Sequence, residues 1–222
     1  MRGENRSDYI RFVDIVRYGA LLVAAYLLGS IPTGFLVARA KGIDIRTVGS
    51  GNIGATNAFR VLGKPAGIMV LAADFLKGLV ACGVLPWILF HTGPYQDTRV
   101  GPEIAAGFCA ILGHNYTVWL GFKGGKGVAT SAGVLAALVP WALLTVLGLW
   151  ILLVAMTRYV SVASVLGSAS LPFATWIFYR NWTLTIVTGA MGVLAIYKHR
   201  GNIQRLLNGT EPRFTRKKEL AQ

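Results

Sequence analysis

The sequence predicts an all-α, polytopic integral membrane protein with glycine-rich loops facing the cytoplasm. Three observations carry that expectation. Of the 222 residues, 54% are hydrophobic, and the mean hydropathy of +0.55 is too high for an ordinary soluble domain. Charge-free runs, such as Gly19 to Ala38 and Val128 to Met156, are long enough to cross a hydrocarbon core of about 30 Å. Lysine and arginine total 22 against 9 acids, a net charge of +13. In a membrane protein that excess points to cytoplasmic loops, anionic headgroups or phosphorylated substrates. No nucleic-acid recognition module accompanies it, so nucleic acid is not an expected partner.

The organisation along the chain follows from where the charges fall. Residues 1–17 form a polar arm that lacks the apolar core and cleavage site of a signal peptide. Gly19 to Ala38 is the first expected span, with a kink at Pro32, which removes a helix hydrogen bond. Arg39, Lys41, Arg46, Arg60 and Lys64 follow, with Asp44 as the one acid among them, which argues for the cytoplasmic side. Pro65 to Phe90 is the second span. It carries Asp74 and Lys77 three residues apart, hence on one helix face. They read either as an ion pair within the helix or as support for a nearby anion site. His91 to Pro102 reads as an external loop, and Glu103 to Leu120 as a third span. Val128 to Met156 is either one long helix or two broken near Pro140. Tyr159 to Tyr179 and Trp182 to Tyr197 complete the set. Breaking at Pro140 gives about seven spans; a count of five is the alternative and gives the same orientation. Residues 213–222 form a basic tail drawn to lipid. Cys82 and Cys109 lie in apolar runs and read as core-filling thiols. There is no carboxylate cluster for a metal, and no cofactor is expected.

Chemistry concentrates in three stretches. Val48 to Arg60 offers Ser50, Gly51, Asn52, Gly54, Thr56, Asn57 and Arg60. Glycine lets backbone N–H groups point into one concavity, and such nests bind phosphate oxygens. Arg60 adds a planar fork of donors. The spacing is neither that of a nucleotide-hydrolase phosphate loop nor that of a dinucleotide fingerprint. The second stretch joins His114 and Asn115 to the loop Lys123-Gly124-Gly125-Lys126-Gly127, where an ammonium and backbone donors can meet one phosphate. The third begins at His199. At helical spacing His199 and Asn202 share a face, opposite Ile203, Leu206 and Leu207, as in a short interfacial helix. Ser161, Ser164 and Ser168 line the start of the penultimate span.

Together the three stretches resemble the bacterial acyl-phosphate:glycerol-3-phosphate acyltransferase family of inner-membrane enzymes. The resemblance rests on Gly49 to Asn57 with Arg60, on Gly113 to Asn115 through Phe122 to Gly127, and on His199 to Ile203 through Gly209-Thr210-Glu211. It implies that residues 18–212 form a membrane-embedded acyltransferase domain. It also implies transfer of a long-chain acyl group from acyl phosphate to the 1-hydroxyl of glycerol 3-phosphate, giving lysophosphatidic acid, the first step of phospholipid synthesis. By the same resemblance Ser50 and the glycines after it cradle acyl phosphate. Arg60, Lys126, His199 and Asn202 hold glycerol 3-phosphate, joined by Ser164. The implied partners are these two substrates, membrane lipids and, functionally, the enzyme that forms acyl phosphate. His199 is either a general base or a positioning group. In the latter case an acyl-phosphate oxygen takes the hydroxyl proton. Carried as the alternative is a membrane transporter for phosphate or a phosphorylated solute, which the sequence disfavours because it shows no internal repeat.

Overall fold

The computed structural model describes residues 2–91 and 100–214. The external loop expected between His91 and Pro102 lies mostly outside the described residues, as does the tail beyond 214. All regular elements among the described residues are helices. Among the described residues four helical segments are long and apolar enough to cross a membrane: Phe12–Arg39, Lys64–Phe90, Pro140–Thr157 and Val160–Tyr179. Their outward side chains, among them Leu71, Trp141, Ile151 and Phe173, are exposed, as suits a hydrocarbon solvent. The chain divides into two compact units, residues 1–138 and 139–222.

In the first unit α1 spans Arg2–Ser30, so the polar arm is the opening of this helix rather than a separate segment. It ends at the break that Pro32 was expected to impose, and α2 resumes over Thr33–Arg39. After a basic loop come α3 (Ala55–Leu62) and α4 (Lys64–Leu79), separated only by Gly63. The helix continues from α4 through two wide turns at Val80–Val84 and Trp87–His91. α5 covers Gly101–Asn115 and α6 covers Val128–Leu138. At 11 residues α6 is about 16 Å long, too short to cross a bilayer alone.

Two helix pairs in this unit are packed backbone to backbone. A Cβ at Gly29 would overlap the Ala110 carbonyl, and one at Gly113 the Tyr26 carbonyl, so α1 and α5 meet through glycine. Gly78 against Thr130 and Gly133 against Phe75 do the same for α4 and α6. In lipid, apolar side chains gain nothing by associating, so close backbone approach supplies the attraction through van der Waals contact. Leu21, Ala25, Ala81, Phe90, Ala106 and Ala110 fill one buried cluster, and Ala38, Ile45, Ile53, Ala58 and Val70 another beneath the basic loop. Cys82 is buried, Cys109 is half-buried, and both are free thiols.

The second unit holds α7 (Pro140–Thr157), α8 (Val160–Tyr179), α9 (Trp182–Lys198) and α10 (Arg200–Leu207). The break before Pro140 is therefore real, at Val139. Arg158 and Arg180, both left-handed, end α7 and α8 and make the connections short. α10 is the short helix expected from the His199–Asn202 spacing. After it the chain returns to the α7–α8 turn, where the Phe214 N–H donates to the Arg158 carbonyl at 2.7 Å. Arg213 belongs to this return: its Nε donates to the Tyr159 hydroxyl at 3.1 Å.

Candidate functional site

The glycine loop of the first unit is organised by one amide. Asn57, on the first turns of α3, is 1% exposed. Its Nδ2 donates to the carbonyls of Asn52, Val48 and Ile45 at 2.9, 3.1 and 3.3 Å, and its Oδ1 accepts the Ser50 N–H at 2.9 Å. One side chain thus replaces the backbone partners that a loop lacks. Gly49 sits at φ +61 against the same Oδ1, where a Cβ would collide. Asn52 bends the next turn by accepting the Gly54 N–H at 2.8 Å. These contacts present the half-buried Ser50 and Thr56 and lead into α3, whose N-terminus at Gly54 has no side-chain cap. A helix start without a cap offers N–H groups and positive potential to an anion.

The cations around this loop differ in commitment. Arg46 forks onto Asp44, with Nε–Oδ1 at 2.9 Å and Nη2–Oδ2 at 2.6 Å, and its guanidinium lies over the Phe35 ring. Those hydrogen bonds pull the Asp44 carboxyl down to about 2. Arg60, on the last turn of α3, is exposed and makes no ion pair among the described residues. A guanidinium kept without a carboxylate is available to an incoming phosphate. Nearby, Ile31, Pro32, Phe35, Leu36, Trp119 and Leu120 line an apolar groove of about 330 Å³, a surface suited to an alkyl chain.

The second loop lies on the end of α5. The Gly125 N–H donates to the His114 carbonyl at 2.9 Å and the Gly124 N–H to the Asn115 carbonyl at 3.2 Å. Side chains at Gly124, Gly125 or Gly127 would collide with His114 or Asn115. His114 and Asn115 are both buried, beneath the loop rather than at its surface. Lys126 is half-buried and Lys123 exposed.

The second unit carries its own cluster. His199 is 3% exposed, between α9 and α10, with Nδ1 2.7 Å from the Ala195 carbonyl. A carbonyl only accepts, so Nδ1 carries the proton of this contact, and a neutral ring in this tautomer has its lone pair on Nε2. Asn202 donates through Nδ2 to Glu211 Oε1 at 2.7 Å, and Arg205 Nε pairs with Oε2 at 2.8 Å. Burial pushes the Glu211 carboxyl up, but the hydrogen bonds from Asn202 and Arg205 help to outweigh it and hold the group below its ordinary value. Ser164 is buried on α8 and accepts from Trp150 Nε1 at 3.1 Å. Glu211 had no role assigned from sequence. Its position nine residues after Asn202, past a glycine turn, hides the contact. The sequence signals are its place at the end of the third stretch, in Gly209-Thr210-Glu211, and a lone acid in a basic surrounding.

Ser50, Gly51, Asn52, Gly54, Thr56, Asn57 and Arg60 thus share one loop and helix in the first unit, with Lys123 to Gly127 on a second loop of that unit. His199, Asn202 and Ser164 belong to the second unit. A family model described as glycerol-3-phosphate acyltransferase matches residues 19–209. The chain belongs to that family. A glycerol-3-phosphate acyltransferase from Geobacter sulfurreducens is 48% identical over 194 residues, covering 87% of this chain and 96% of the relative. One from Clostridioides difficile is 45% identical over 208 residues, covering 93% and 100%. Among solved structures, PlsY, described as an integral membrane glycerol 3-phosphate acyltransferase, matches in its glycerol 3-phosphate form at a TM-score of 0.82 and 40% identity. That match covers 92% of this chain and 99% of the other. Its lysophosphatidic acid form matches at 0.79. The family is thus one of membrane acyltransferases, and nothing in these similarities supports a transporter.

Proposed function

We propose that this chain transfers an acyl group from a long-chain acyl phosphate to the 1-hydroxyl of glycerol 3-phosphate. The hydroxyl oxygen bonds to the acyl carbon, the bond from that carbon to the phosphate oxygen breaks, and inorganic phosphate leaves. Membership of the family supports the acceptor. The observation that carries the reading at the level of residues is Arg60: it is exposed and has no carboxylate partner among the described residues, beside a glycine loop that ends in an uncapped helix. Both substrates are anions, and an acyl phosphate already contains a good leaving group.

In this reading Ser50 and the loop glycines receive the acyl phosphate, while Arg60 and Lys126 supply cationic donors to glycerol 3-phosphate. His199 and Asn202 are the second unit's candidate substrate-binding groups. His199 orients rather than removes the proton, because a neutral carbonyl and not a carboxylate stands behind its Nδ1. A phosphate oxygen of the donor takes the hydroxyl proton. The positive loops support a cytoplasmic position for this chemistry in the inner membrane, with about seven spans.

Purified protein in detergent is incubated with palmitoyl phosphate and glycerol 3-phosphate. Lysophosphatidic acid should form, and palmitoyl-CoA in place of the acyl phosphate should give none. Efficient turnover with the thioester would refute the donor. Cysteines placed at Arg46 and at the exposed Lys123, in a background without Cys82 and Cys109, should both be shielded from an impermeant thiol reagent in intact cells. Labelling of either refutes the assigned side.

A further inference from the structure

The buried charges Asp74 and Lys77 contribute no atom to the chemistry described above. Yet Asp74 is 2% and Lys77 5% exposed, inside a helical segment long enough to cross the membrane. Charges there are costly, and a buried pair gains little over an apolar pair of the same volume. Their contacts reach two places that the site depends on.

The first is the break between α1 and α2. Pro32 cannot donate to the helix, and the carbonyls next to it need other partners. Lys77 Nζ donates to the Ile31 carbonyl at 3.0 Å, while also lying 2.8 Å from Asp74 Oδ1. Thr117 Oγ1 donates to the Ser30 carbonyl at 2.5 Å. The second place is the Lys126 loop. Asp74 Oδ1 lies 3.7 Å from His114 Nδ1. The His114 ring is the surface against which Gly125 is pressed, and its carbonyl accepts the Gly125 N–H. One turn further along α4, Gly78 abuts the Thr130 carbonyl on α6. α4 therefore touches both ends of the loop: the close of α5 through Asp74, and the opening of α6 through Gly78.

We infer that Asp74 and Lys77 are positioning residues that fix the Lys126 loop for the acceptor phosphate, acting through His114, and lock the Pro32 break to the same helix. The inference rests on the reading of Lys126 as a glycerol 3-phosphate group. A pair that merely stabilised the fold would be replaceable by apolar residues of similar volume without kinetic cost.

The test is the double variant Asp74→Leu/Lys77→Met, which removes both charges and leaves neither unpaired. Thermal unfolding of the purified protein, glycerol 3-phosphate binding by calorimetry, and both Michaelis constants are measured. The expected result is a midpoint near that of the wild type, with Kd and KM for glycerol 3-phosphate raised at least tenfold and KM for palmitoyl phosphate, whose groove includes Ile31 and Pro32, raised by a clearly smaller factor. Asp74→Asn/Lys77→Gln, which keeps polar atoms but no charge, is the second variant should the first not fold, and the same split is expected. Kinetics within twofold of wild type for both substrates, or an equal loss for both, overturns the inference. Failure of both variants to fold also overturns it, making the pair a structural one. If wild-type protein binds glycerol 3-phosphate but does not turn over palmitoyl phosphate, the proposed donor fails while the calorimetric comparison still decides the role of the pair.

Discussion

Replacing Asn57 by aspartate changes one NH₂ into one oxygen and leaves the volume alone. In the structure that NH₂ serves three carbonyls, those of Ile45, Val48 and Asn52. The variant keeps the acceptor for the Ser50 N–H but points an oxygen, charged or not, at the three carbonyls. A net hydrogen bond contributes about 0.5–1.5 kcal/mol, and two N–H donors are lost, so the formed loop should be destabilised by about 1–3 kcal/mol. At a factor of ten per 1.4 kcal/mol, this corresponds to a loss of formed loop of about five- to a hundredfold. The assay is initial-rate kinetics on purified protein with each substrate varied in turn, alongside the unfolding midpoint. kcat/KM should fall by about five- to a hundredfold for both substrates, because the loop carries Ser50 and sets the start of the helix bearing Arg60. The midpoint should move by only a few degrees, because the loop lies at one end of its unit. A loss confined to one substrate would make Asn57 a direct ligand for that substrate. Kinetics unchanged within twofold would refute the idea that this amide holds the loop.

Arg60→Lys keeps the charge and loses the fork. A charge-assisted hydrogen bond is worth about 1.5–3 kcal/mol, so kcat/KM for glycerol 3-phosphate should drop about ten- to a hundredfold. The constant for acyl phosphate should move little; a shift in that constant alone would transfer Arg60 to the donor. Glu211→Gln retains the acceptor for Asn202 but loses the Arg205 pair. The folded Glu211 carboxyl lies below its unfolded value, so its contribution to stability is present above pH 4.5 and disappears as pH falls through the folded value. The unfolding midpoints of wild type and Glu211→Gln should therefore differ at pH 7 and converge on acidification. A constant gap across that range would refute the assignment.

Sequence was most informative where the chain polices itself. Pro32 and Pro140 marked helix breaks because the missing N–H acts locally, whatever surrounds it. His199 and Asn202 announced α10 by spacing alone. The glycine loops were visible for the same reason: clustered glycine between charge-free runs has few other uses. What stayed hidden depends on partners far along the chain. Asn57 reads as a polar ligand in a polar stretch, and only the fold turns its amide inward onto the carbonyls of the loop. His114 and Asn115 read as substrate-binding residues near the end of a span, and the structure buries them at the close of α5, beneath the glycine loop. Lys77 shows its i,i+3 relation to Asp74, but its bond to the Ile31 carbonyl spans 46 positions and follows no local rule. Asp44 and Arg46 look like two of several charges, and only geometry shows that this arginine is spoken for while Arg60 is not.

The glycine contacts between α1 and α5, and between α4 and α6, have a consequence for synthesis. A ribosome delivers α1 to the membrane before the helix that receives its glycine face exists. Until residues around Lys77 and Thr117 emerge, the carbonyls at Ser30 and Ile31 lack the partners they finally keep. α1 must therefore wait in lipid or against the insertion machinery, and the Pro32 break cannot adopt its final bonding early. α4 likewise waits for α6, which is too short to hold itself across the bilayer and depends on that docking. The first unit is thus assembled retroactively: each early helix is completed by a later one, and the last segment to arrive, α6, closes the unit that presents both glycine loops.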